Sequence, residues 1–181
     1  FLDHMLTLFA SHGRFDLTVT CKGDTWVDDH HPAEDVGIVL GQAIAQALGE
    51  KRGIARYGSM LLPMDEALAF AALDISGRPY LAYQAEFAAP MCGTMDTQLF
   101  EEFFRSFAFN AGITLHIACP YGANDHHKAE AMFKAEGSKD RDFVVFNGPD
   151  EQFLGGRVMG ADGGIGGTYG AMPELFLRLN D

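Results

Sequence analysis

The chain has 181 residues, of which 48% are hydrophobic, 12% aromatic and 21% charged, which supplies one sizeable core and excludes a disordered tail or a fibre. With 13 Lys and Arg against 25 Asp and Glu, the formal charge is −12, so the basic footprint needed to grip a phosphate backbone is missing and nucleic acid is not expected as a partner. Cys21, Cys92 and Cys119 are odd in number, widely spaced and form no CxxC, which points to a reducing compartment, the cytoplasm, rather than a disulfide scaffold or a thiolate metal site. No apolar run approaches the ~20 residues of a membrane helix, and the N-terminus lacks the order of a signal peptide. The chain opens at Phe1 in mid-pattern, from which an upstream segment is expected.

Phe1, Leu2, Met5, Leu6, Leu8 and Phe9 recur at helical spacing, and the helix is expected to stop near Ser11-His12-Gly13 on its glycine. Phe15 to Thr20 alternates apolar with polar residues and predicts a strand that turns at Lys22-Gly23-Asp24. From Pro32 to Leu48, the set Val36, Val39, Leu40, Ala43, Ile44, Ala47 and Leu48 predicts a helix that Gly49 ends. Met60 to Leu73 and Pro79 to Phe87 read as strands around Ser76-Gly77-Arg78-Pro79, with the alanines between Glu66 and Ala72 compatible with helix as well.

An internal repeat organises the rest. Phe9-Ala10, Gly13 and Phe15 to Val19 are echoed by Phe107-Ala108, Gly112 and Ile113 to Ile117, giving helix, glycine, strand twice. After each comes a glycine turn and then a DHHxAE element, Asp29 to Glu34 or Asp125 to Glu130, the two lying 96 residues apart (126 against 30). The expectation is therefore an α+β fold of two similar halves, each a small sheet covered by helices, over residues 1–137. From Asp142 to Asp181, 40 residues hold nine of the 21 glycines, which marks a boundary near 136–142 and a separate tail over 138–181.

Four of the seven histidines lie in the two His-His pairs, each followed by Glu at the same offset. On a helix, His30 and Glu34 are i, i+4 neighbours and His31 and Glu34 are i, i+3, so imidazole and carboxylate can converge on one ion. Adjacent histidines point about 100° apart, so each pair would serve two different metals. Imidazole and carboxylate without thiolate suit Mn, Fe, Co, Ni or Zn, with an oxygen-rich site of high coordination leaning to Mn(II). A single pair would be an ordinary polar helix start; duplication with matching Asp and Glu flanks argues for metal. His4 has the surroundings of a core histidine and joins the candidates only through its place in the repeat, whereas His116 reads as structural. Arg56 and Arg78 are cations on glycine turns, either solvated or placed to take phosphate in bidentate fashion. The Gly163-Gly164-Ile165-Gly166-Gly167 run lacks the spacing of a phosphate loop.

These residues resemble the imidazoleglycerol-phosphate dehydratases. The likeness runs through Phe1 to Leu6, Ser11-His12-Gly13, Asp28 to His31, Glu34 to Gly37, Lys51 to Ile54, Leu62 to Ala67, Asp74 to Pro79, Phe103 to Ser106, Asn124 to His127, Glu130 and Phe133 to Ala135, about residues 1–137. It implies a hydro-lyase of histidine biosynthesis that converts imidazoleglycerol phosphate to imidazole acetol phosphate, a large symmetric homo-oligomer, and two Mn(II) ions per subunit bound where subunits meet. It further implies His4, His30, His31, Glu34, His126, His127 and Glu130 as metal ligands, and His12, Arg56, Arg78 and Lys134 as substrate contacts. Glu102 stands where the family usually has a histidine ligand, Pro32 where it has Thr, and neither the family's N-terminal strands nor its Ser-Ser-Lys phosphate loop is present. Residues 143–151 and 160–169 resemble a late segment of the N-acetylneuraminate lyase and dihydrodipicolinate synthase barrels, but 40 residues cannot close a barrel of ~250. Two other classes stay open at this point: a non-catalytic metal-binding or assembly protein, and a pyruvate-dependent lyase suggested by the tail alone.

Overall fold

The computed structural model describes residues 1–138 and, beyond them, the backbone at 146–147 and 163–164. The expected boundary near 136–142 lies at the edge of the described residues, and the likenesses over 143–151 and 160–169 lie outside them. The chain divides into a unit of Phe1–Lys139 and one of Asp140–Asp181, and in the second Phe146–Asn147 pairs in parallel with Gly163–Gly164.

In the first unit, helices α1 (Leu2–Gly13) and α2 (His30–Leu48) are followed by strands β1 (Tyr57–Met64), β2 (Ala67–Asp74) and β3 (Tyr80–Ala85). The short strands β4 (Met91–Cys92) and β5 (Met95–Asp96) lead to α3 (Leu99–Ala111), β6 (Thr114–Tyr121) and α4 (Asp125–Gly137). One four-stranded sheet has the order β1-β2-β6-β3, antiparallel except for the parallel pair β6 and β3. Helix α4 lies on β1, β2 and β6, and α3 lies on β3. The alanine run resolves as strand: Ala67, Ala69 and Ala71 alternate inward and are buried, small enough to let α4 lie close on the sheet.

The strand expected over Phe15 to Thr20 does not form. Its alternation correctly places Phe15 and Leu17 against the core, but alternation encodes half-burial and a ladder needs a neighbour. No described strand runs alongside to receive its N–H and C=O groups. Helix α2 begins at His30, two residues ahead of Pro32, which is harmless because the first N–H groups of a helix have no intrahelical partner. Helix α1 includes Gly13 and passes the left-handed position to Arg14, φ 55°.

The helices pair across the repeat, α1 on α4 and α2 on α3. One close approach occurs twice. A Cβ at Gly41 of α2 would stand 2.5 Å from the Phe107 carbonyl oxygen of α3, and a Cβ at Gly137 of α4 would stand 2.3 Å from the Phe9 carbonyl oxygen of α1. Gly41 and Gly137 are 96 residues apart, the offset of the DHHxAE elements, and Phe9 and Phe107 head the two halves. The repeat is thus a packing symmetry, with the buried rings of Phe100, Phe104 and Phe133 at its centre.

Candidate metal centre

Because α1 packs on α4, His4 of the first half meets His126 and Glu130 of the second, 126 residues away in sequence. His126 and Glu130 share a face of α4 as i, i+4 neighbours. His4 Nε2 and His126 Nε2 lie 3.1 and 2.9 Å from the same oxygen, Glu130 Oε1. The three donor atoms all fall within 4.8 Å of one another, the one such group of three or more among the described residues. Phe1 packs edge-on against the His126 ring. Glu130 Oε2 accepts from Lys134 Nζ at 2.6 Å. Burial works to raise the Glu130 carboxyl, but hydrogen bonds from Lys134, His4 and His126 outweigh it and hold the group at about 2. It is therefore an anion at every physiological pH.

His127, the next residue, points elsewhere, as the 100° step between helix neighbours requires. Its Nδ1 lies 2.8 Å from Glu66 Oε2 in the turn between β1 and β2, and that hydrogen bond raises the imidazole above its ordinary 6.5. Glu66 Oε1 accepts from the backbone N–H of Ala123 and Asn124, and with His127 these bonds hold the carboxyl at about 2. Asn124 caps α4 by accepting from His126 N and His127 N. Asp125 accepts from Ala88 N and Ala89 N and pairs with Lys128, which donates to the Glu86 carbonyl. The start of α4 is thereby fastened both to the β1–β2 turn and to the segment after β3. Sequence reasoning did not assign Glu66 a role, although it lies inside the quoted Leu62 to Ala67 stretch; a partner 61 residues away leaves no local signature.

The first DHHxAE element stands apart from this group. His31 Nδ1 lies 3.1 Å from Asp24 Oδ2, and His30 N donates to Asp28. Glu102 and Arg105 of α3 form an ion pair, and the Arg105 guanidinium also feels the charge of Glu34. By the repeat, His30 and Glu34 correspond to His126 and Glu130, and Glu102 corresponds to His4 as Phe107 does to Phe9. The counterpart of the first cluster thus lies where α2 packs on α3, with an arginine engaging its carboxylate.

The expected substrate contacts fall in two places. Lys134 touches Glu130, and His12 lies 3.5 Å from Ser138 Oγ, which donates to the Lys134 carbonyl. Arg56 binds Asp74 in bidentate fashion at 2.6 and 3.0 Å, and Arg78 Nη2 is 3.7 Å from the same carboxylate. Arg56 precedes β1 while Glu66 follows it, so the arginines and the His127 corner are separated by the length of a strand, roughly 25 Å at ~3.3 Å per residue. Within one chain the fold does not bring Arg56 and Arg78 to the His127 corner.

Two half-repeats with a His/Glu donor cluster at their junction define an α+β protein built by duplication. The sequence pattern of the imidazoleglycerol-phosphate dehydratases matches residues 1–138. The dehydratase of Acetivibrio thermocellus is 65% identical over 137 residues, 76% of this chain and 70% of that protein. The Methylorubrum extorquens dehydratase is 53% identical over 165 residues, 91% of this chain and 83% of its own, a match that reaches past residue 138. The crystal structure of the Staphylococcus aureus dehydratase superposes with a TM-score of 0.71 at 46% identity, covering 76% of this chain and 78% of that one. That of Pyrococcus furiosus gives 0.63 at 34%, covering 76% and 75%. The chain belongs to the imidazoleglycerol-phosphate dehydratase family.

Proposed function

We propose that this chain is a metal-dependent hydro-lyase of histidine biosynthesis, taking imidazoleglycerol phosphate to imidazole acetol phosphate with two Mn(II) ions per subunit. The observation that carries the reading is the meeting of His4, His126 and Glu130 in a chain of this family. The donor set fits such an ion: two imidazole nitrogens, an ionised carboxylate and no thiolate suit a borderline or hard divalent metal. His4, His126 and Glu130 would hold one ion; His30, His31, Glu34, Glu102 and His127 would contribute to completed sites. When bound, the metals supply Lewis-acid polarisation of the substrate's imidazole, making the ring an electron sink for loss of water.

The chain's own residues do the rest. Glu130, kept ionised, offers a charged oxygen, while Lys134 neutralises its other oxygen and presents a cation beside the donors. Arg56 and Arg78 suit a phosphate, since guanidinium binds it in bidentate fashion; Asp74 holds the Arg56 side chain, and Arg78 stays exposed beside it. Because one chain keeps these arginines apart from the His127 corner, we place the complete site at contacts between copies, in a symmetric homo-oligomer. The free state of Cys21, Cys92 and Cys119 accords with the cytoplasm as its place of work, and no described helix is long and apolar enough to cross a membrane.

The engagement of Glu102 by Arg105 favours a second reading, a chain that binds metal but turns over slowly. Metal content, light scattering and product formation with Mn(II), measured on the chain and on Glu102→His, decide between them. Close to two ions per chain, a multimer and turnover by the unaltered chain support the first reading; turnover only after Glu102→His supports the second. No retained metal after dialysis, or a monomer in excess Mn(II), overturns both.

A further inference from the structure

The second histidine of each pair has a feature that the spacing of the motif does not encode. His127 Nδ1 is 2.8 Å from Glu66 Oε2, and His31 Nδ1 is 3.1 Å from Asp24 Oδ2. Neither carboxylate belongs to its DHHxAE element: Asp24 lies in the loop before α2, and Glu66 lies in the turn between β1 and β2. The same ring nitrogen is engaged by the same kind of group in both halves, although the two carboxylates come from unrelated places in the fold.

An ionised carboxylate can only accept, so the neutral ring facing it carries its proton on Nδ1 and leaves the lone pair on Nε2. Among the described residues Nε2 of His127 makes no hydrogen bond, and the carboxylate oxygen of Asp65 stays 3.8 Å away. An imidazole that ligates metal through one nitrogen is commonly oriented by a carboxylate on the other. The Glu66 carboxylate is itself fixed, because its second oxygen takes two backbone N–H groups, Ala123 at 3.1 Å and Asn124 at 2.7 Å. It therefore sets the ring of His127 and the backbone just ahead of the pair together.

We propose that Glu66 and Asp24 are positioning residues that lock His127 and His31 in the tautomer and orientation that present Nε2 to metal. The proposal rests on the metal reading above and adds to it two residues and the ligating atom. Substituting either acts on its own histidine and leaves the other in place.

The test uses the full metal-free chain labelled with 15N at histidine, observed by two-dimensional NMR above the imidazole titration range, followed by Mn(II) titration. The unaltered chain is expected to show His127 and His31 protonated on Nδ1. Glu66→Ala releases His127 alone to the mixture of an unrestrained ring, and Asp24→Ala does so to His31 alone. Each weakens Mn(II) binding about 10- to 100-fold. Glu66→Gln keeps the shape but cannot accept from His127 and from both amides, so it weakens binding in the same sense; Asp24→Ala, in a loop, keeps the test open should changes at the β1–β2 turn disturb folding. Rings protonated on Nε2 in the unaltered chain, or substitutions that move neither tautomer nor affinity, overturn the proposal. An unaltered chain with locked tautomers that takes up no Mn(II) overturns the metal reading instead, so the two failures are distinguishable.

Discussion

Replacing Glu130 by Gln removes one negative charge from a carboxylate that three side chains converge on, His4, His126 and Lys134. Glu130 is 8% exposed, so its interactions are only weakly screened. Holding the carboxyl at about 2 against an ordinary 4.5 corresponds to about 3 kcal/mol of preference for the charged form. From the other side, Lys134, with 15% of its side chain exposed, would exchange an ionised oxygen for a neutral amide as its partner beside the Met64 sulfur at 3.3 Å, leaving its charge uncompensated. Removing one partner of a buried pair typically costs about 3–5 kcal/mol, and the two routes agree near the lower figure. For a chain of this size ~3 kcal/mol lowers Tm by roughly 6–12 °C. Thermal unfolding of the metal-free protein, at one fixed protein concentration because assembly contributes to Tm, measures it. The double variant Glu130→Leu/Lys134→Met is expected to recover most of the stability, since an apolar pair can replace a buried ion pair, without recovering Mn(II) binding. A single variant within about 0.5 kcal/mol of the parent, or one that retains metal unchanged, refutes the reasoning.

Gly41→Ala and Gly137→Ala each force a Cβ against a backbone carbonyl of the facing helix and are expected to cost about 1–3 kcal/mol apiece. Gly58→Ala, whose Cβ meets Leu73 only at 3.8 Å, is expected to be tolerated; equal denaturant midpoints for all three would contradict the packing symmetry. Glu136 is buried, its Oε2 has no hydrogen-bond partner among the described residues, and burial pushes its carboxyl up to about 8. The folded chain therefore keeps a proton that the unfolded chain releases above its ordinary 4.5, and stability falls as pH rises from 4.5 toward 8. Glu136→Gln should flatten that slope and stabilise the protein by about 3 kcal/mol at pH 7, which urea titrations across this pH range would read; an unchanged slope counts against it.

What the sequence made legible is what local periodicity encodes. The helices of the two DHHxAE elements, the stretch around Phe1 to Gly13 and the half-repeat were readable because apolar spacing and glycine punctuation lie within a few residues of each other. The strand over Phe15 to Thr20 misled because period two reports a half-buried extended chain whether or not another strand lies beside it. Glu66 and Asp24 were invisible for the opposite reason: Glu66 reaches His127 across 61 residues, and Asp24 reaches His31 across seven residues of irregular loop. Arg56 and Arg78 were read as solvated or phosphate-binding cations, but both lie at Asp74 at the end of β2: Arg78 as a local i, i+4 neighbour, and Arg56 through the sheet's register, which sets Tyr57 opposite Asp74.

The packing symmetry also explains why one donor cluster is assembled within a single chain and its counterpart is not. Each cluster needs one residue from the helix that opens a half and two from the DHHxAE helix of the other half, and the exchange of partners, α1 with α4 and α2 with α3, meets that need twice. At the first junction the opening helix supplies His4, an imidazole that shares an oxygen of Glu130. At the second it supplies Glu102, which pairs with Arg105, whose guanidinium also feels the charge of Glu34. A carboxylate in place of an imidazole adds a negative charge, and an arginine one helical turn along α3 is the cation that pairs with it. A difference of one residue type at a symmetric position thus adds an ion pair within α3 at the second junction, where the first has an imidazole beside the carboxylate, while the helix pairing that carries both remains the same.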